Sequence, residues 1–114
     1  MRRDLTQPIL DLNEKTIPHP QREGEHYTLC DVALSALMAS YEDEKSLTGK
    51  DKADRMQLAL KINKRPKEVD LTVEQLALLK QLIGKGFGPL VVGRAYELLE
   101  QEPKLADKDV VGNG

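Results

Sequence analysis

Two apolar segments of helical period, separated by Gly84-Lys85-Gly86-Phe87-Gly88-Pro89, dominate the C-terminal half of this chain and restrict its fold more than any other feature. Thr72-Val73-Glu74-Gln75 has the form of a capping box, a Thr hydroxyl at the cap and a Gln three residues on reaching back to it. Leu76, Leu79 and Ile83, with Leu78 and Leu82, then predict a helix over 73–84. Gly84 is expected to end it, and Pro89 stands where a first helical position suits proline. A second helix is predicted over 89–101. Glycines before a helix suggest a phosphate cradle, but a Walker loop requires glycine where Leu79 stands. A dinucleotide loop requires glycine where Pro89 stands, and it must follow a strand. As a DNA-reading helix the second one is a poor candidate, because it opens Pro89-Leu90-Val91-Val92-Gly93 and Arg94 is its only basic residue. The pair reads as a packing element.

The same cap chemistry recurs upstream. Thr28 precedes Leu29, Val32, Ala33, Ala36, Leu37 and Met38 with Asp31 at the third helical position, predicting a helix over 29–40. Thr48 with Asp51 opens another over 49–63, stopped before Pro66. On that helix Ala53, Met56, Leu58, Leu60 and Ile62 are read as one apolar stripe, with Lys50, Asp54, Arg55 and Lys61 facing water. Short alternating segments at Ile9–Leu12, Thr16–Ile17 and Val69–Leu71 read as strands, the last expected to pair with the first. Aromatic residues are only 4% of the chain, so the core must be aliphatic, which favours packed helices over a large sheet. The expected fold is α+β and mostly helical, about four helices with a two- or three-stranded sheet. Residues 1–103 form a single domain in this reading, and 104–114 a flexible tail.

Few residues offer chemistry. His19, His26 and Cys30 are the only strong soft-metal ligand types, too few and too scattered for a zinc site, so the histidines read as surface loop residues and Cys30 as a buried thiol. Glu42-Asp43-Glu44 lacks the spacing and central glycine of a calcium loop and reads as a solvated connection. No carboxylate pair or nucleophile–base pair can be placed, so no catalytic residue, metal or cofactor is expected and the protein is read as non-enzymatic. The one basic concentration, Lys61, Lys64, Arg65 and Lys67, is the alternative candidate for contact with nucleic acid. Against it stand a net charge of −2 and the lack of a neighbouring aromatic platform. No run approaches the roughly 18 apolar residues of a membrane span, and the basic N-terminus lacks a signal sequence's apolar run. A single cysteine fits a reducing compartment, and a cytoplasmic location is expected.

The last helix carries more apolar residues than one buried face requires. Leu90, Val91, Val92, Tyr96 and Leu99 are therefore the candidate interface, with a protein partner or a second copy of this chain.

Several segments together resemble short proteins of tailed bacteriophages and prophages. They are Pro8-Ile9-Leu10-Asp11-Leu12-Asn13, the helix opening Tyr27-Thr28-Leu29, and Val69-Asp70-Leu71-Thr72-Val73-Glu74 running on to Gly88 through Leu99. The resemblance covers most of the chain and rests on pattern. It implies an accessory role in virion assembly or in contact with host proteins, and it carries over no active-site residue.

Overall fold

The computed structural model describes residues 1–102. Among them are β1 (Arg2–Arg3), α1 (Leu29–Met38), α2 (Gly49–Asn63), β2 (Val69–Asp70), α3 (Val73–Gly86) and α4 (Pro89–Leu99). This is the mostly helical α+β fold expected, with a two-stranded sheet. The expected tail at 104–114 lies outside the described residues.

Three of the four helices start on a reciprocal threonine cap. In α1 the Thr28 hydroxyl accepts from the Asp31 amide while Asp31 accepts from the Thr28 amide at 2.9 Å. Thr48 with Asp51 and Thr72 with Gln75 do the same for α2 and α3. Each cap satisfies amides that a helix start leaves without a partner, worth about 1 kcal/mol.

α1 is the central helix, and α2, α3 and α4 all pack against it. Its Leu29, Val32, Ala33, Ala36 and Leu37 are buried among Leu58, Ala59 and Ile62 of α2, Leu79, Leu82 and Ile83 of α3, and Ala95 and Leu99 of α4. The N-terminal segment closes the core with Leu5 and Ile9.

β2 pairs antiparallel with β1, Arg2 opposite Asp70 and Arg3 opposite Val69, and not with Ile9–Leu12 as the sequence suggested. Ile9 is fully buried instead, and its segment runs beside the approach to α1. The Ile9 amide donates to the Tyr27 carbonyl at 2.9 Å, the Leu29 amide to Gln7 at 2.9 Å, and the Cys30 amide to Leu5 at 2.7 Å. With those groups engaged, the first residues of the chain are the ones left to pair with β2. The expected strands at 9–12 and 16–17 are reduced to isolated bridges, Leu10 opposite Thr16 across the turn at Asp11.

The break between α3 and α4 also differs. α3 runs through Gly84 to Gly86, with Phe87 as its extended C-cap. Gly84 is there for closeness of approach: a Cβ on it would stand 2.8 Å from the Tyr96 hydroxyl, which donates to the Lys80 carbonyl at 2.8 Å. Tyr41 approaches Gly86 in the same way, its hydroxyl lying 2.9 Å from the Ala36 carbonyl and 3.3 Å from that of Leu82. Both tyrosines thus lock α3 to its neighbours through a missing side chain.

Arginines fasten α4. Buried Arg3 donates from Nε to the Leu99 carbonyl at 2.6 Å, where the helix dipole favours a cation. Arg94 reaches the carbonyls of Leu10 and Asp11 and the Glu14 carboxylate.

Candidate interaction surface

The inward face of α2 is set by Leu58, Ala59 and Ile62, roughly one side of the helix at about 100° per residue. Ala53, Met56 and Leu60 fall on nearly the opposite side. They do not form one stripe with Leu58 and Ile62, as the sequence reading had them; they turn to solvent, Met56 46% and Leu60 45% exposed. Arg55, expected to face water, is buried in their place. Its guanidinium grips Glu44 with two bonds, 2.9 Å and 2.6 Å, so the acidic connection is partly folded in and not merely solvated. Lys85 joins the pair 3.5 Å from Glu44 and 3.1 Å from Asp43. The bonds from Arg55, outweighing the burial that opposes them, hold the Glu44 carboxyl below its ordinary range.

Two depressions flank the outward stripe. One is a groove between α2 and α3 that includes Leu58, Leu60 and Leu78, with Lys61 and Lys64 along it and Glu74 across from them. The other lies at the far end of α1, where Met38, 52% exposed, shares a hollow with Leu47 and Met56. Met56 and Leu60, one turn apart, join the two.

The α4 candidates lie elsewhere. Leu99 is fully buried and Tyr96 is held by α3, while Val91 and Val92 pack against the core half-covered and Leu90 is half-exposed. Among the basic candidates, Lys61 donates to the Asp70 carbonyl and Arg65 pairs with Asp31 at 2.9 Å. Lys64 and Lys67 have no ion pair among the described residues.

A second polar centre was missed from the sequence. Asp31, 7% exposed, accepts from the Thr28 amide and hydroxyl on one oxygen and from Arg22 and Arg65 on the other, at 2.8 and 2.9 Å. Burial alone would raise this carboxyl, but the Thr28 and Arg65 bonds together outweigh it and hold it below the usual range. His19 is no surface residue: its side chain is 9% exposed, edge-on to Tyr27, with Nε2 3.6 Å from Asp31. Nothing in a single sequence marks residues 19, 22, 31 and 65 as neighbours. The only signal is an Asp in the first turn of a helix with few other polar groups. Cys30 is the buried thiol expected, and burial pushes its pKa up.

Comparison with protein-family models, curated proteins and solved structures returned no match. Among the described residues no helix is long and apolar enough to cross a membrane.

Proposed function

We propose that this chain is a non-enzymatic accessory protein of phage or prophage origin that acts by protein–protein contact. Its docking surface is the outward stripe of α2 with the groove beside it. The observation that carries the reading is Met56 and Leu60 at nearly half exposure on a helix whose opposite face is already fully engaged. Large aliphatic side chains in register on a solvent face suit an amphipathic helix laid into a groove. Met adapts to such contacts at little cost.

Charge selects the occupant. Asp54 is taken up by Lys50 at 3.0 Å, so the charges along the groove without an ion pair among the described residues are Lys61, Lys64 and Glu74, net positive. The partner is therefore a helix with an apolar face and acidic residues along one edge. The phage resemblance agrees with an accessory role of this kind, in assembly or in contact with a host protein.

A photo-crosslinker at position 56, with one at Glu23 as control, identifies the partner. A synthetic peptide of the crosslinked segment is then titrated against the wild type. It should carry acidic residues on one edge, bind more weakly as salt rises, and lose at least about tenfold in affinity with Met56→Glu or with Lys61→Glu/Lys64→Glu. A peptide indifferent to both variants overturns the reading. Light scattering showing a stable oligomer that Met56→Glu dissociates overturns the choice of partner, since a second copy would then fill the surface.

A further inference from the structure

Arg22 and Arg65 come from distant parts of the chain and meet on one oxygen of Asp31. Arg22 also pairs with Glu25 at 3.1 Å, so two guanidiniums stand against two carboxylates, which do not take up all of their N–H groups. Arg65 gives only Nη2 to Asp31, and its guanidinium also lies against the Cys30 thiol. Arg22 gives Nη2 to Asp31 and pairs through Nε with Glu25, leaving Nη1 without an acceptor among the described residues. Beside them is a hollow lined by His19, Tyr27, Asp31, Ser35 and Asn63 together with both arginines.

His19 adds a directed donor. Its Nδ1 accepts from the amides of Gln21 and Arg22 at 3.0 and 3.1 Å, so in the neutral ring the proton sits on Nε2. That buried N–H lies 3.6 Å from Asp31, outside hydrogen-bond range, and has no acceptor among the described residues. The backbone adds a separate sign. Arg65 lies just beyond the C-terminus of α2 with φ 53°, a left-handed conformation that favours glycine and strains an arginine. The strain persists because the side chain is anchored at Asp31.

We infer that the hollow formed by His19, Arg22, Ser35, Asn63 and Arg65 binds a tetrahedral oxyanion, a phosphate or phosphate monoester. Asp31 orients the two guanidiniums, and their remaining N–H groups meet the oxyanion in charge-assisted bonds. Ser35 and Asn63 complete the wall with neutral polar groups. Glu25, paired with Arg22, lines a second hollow with Thr6, His26 and Thr28 on another side of the same two arginines and Asp31. This inference is independent of the α2 docking surface.

The test uses the full chain, titrated with inorganic phosphate and separately with glycerol phosphate against sodium chloride of equal ionic strength. Amide and guanidinium NMR resonances and the thermal midpoint are the readouts. Saturable shifts at Arg22, Asn63 and Arg65, and a midpoint raised by several degrees at roughly ten times Kd, are expected. Glycerol phosphate binding at least as tightly as inorganic phosphate marks a monoester site, and the reverse order marks a free-phosphate site. Ser35→Glu places a carboxylate in the hollow without touching the Asp31 bonds and should abolish the response. Arg65→Gly relieves the backbone and keeps the Arg22–Asp31 pair; affinity should fall at least about tenfold in a folded protein. Shifts no larger than those from chloride, or a Ser35→Glu variant that responds like wild type, overturn the inference. Met56→Glu should leave the phosphate response unchanged, so the two proposals fail separately.

Discussion

Glu44→Ala removes the counter-charge of a guanidinium whose side chain is only 9% exposed, in a pair where Glu44 itself is 11% exposed. Arg55 rises from α2 and Glu44 from the connection that follows α1, so the pair fastens the 39–48 segment to the helix bearing the outward stripe. Breaking a buried pair by deleting one partner costs about 3–5 kcal/mol, because the remaining charge stays buried without compensation. The rim of the pair reaches water near Lys85, so the lower end, about 3 kcal/mol, applies here. For a domain of this size that lowers Tm by roughly 10–20 °C. Urea unfolding read by circular dichroism gives the free energy, and a thermal scan gives the midpoint. The double variant Glu44→Leu/Arg55→Met should return to within about 1 kcal/mol of wild type, since apolar replacements of similar volume remove the uncompensated charge. A loss below about 1 kcal/mol for Glu44→Ala would show that the pair behaves as a surface bridge and would refute the reasoning.

Gly84→Ala is expected to destabilise by about 1–3 kcal/mol despite alanine's better helix propensity, because its Cβ meets the Tyr96 hydroxyl; in a Tyr96→Phe background the same change should be neutral or stabilising. Thermal midpoints of the four proteins decide it. Asp31 and Glu44 both sit below their unfolded values, so their contribution to stability is full above the ordinary carboxylate range, about pH 4, and is lost as pH falls through the lowered folded values. The urea midpoint should therefore drop steeply below that pH, and less steeply in Glu44→Gln; a flat profile would contradict the two assignments. On α2, Leu58→Ala should cost about 2–5 kcal/mol while Met56→Glu stays within about 0.5 kcal/mol, separating the inward from the outward face by denaturant titration.

What the residues determine by themselves is local. The threonine caps, the helical period of α1, α2 and α3, and the proline opening α4 act over three or four residues, and each helix starts where its cap predicts. The aliphatic core and the mostly helical class follow from composition for the same reason. Long-range packing decided the rest. Which face of α2 is buried depends on where α1 lies: a period of about 100° per residue parts Leu58 and Ile62 from Met56 and Leu60 but does not say which set turns inward. Gly84 reads as a helix stop until Tyr96, twelve residues later in the chain, is seen resting on it. The partner of β2 is Arg2–Arg3 because Ile9 is drawn into the core. Both candidate surfaces belong to this second kind. The outward stripe exists because the other side of α2 is satisfied, and the arginine hollow exists because Arg22, Asp31 and Arg65 converge only when the chain has folded. Hydrogen bonds within a turn can be seen in one short segment, whereas burial and convergence are properties of elements brought together from far apart.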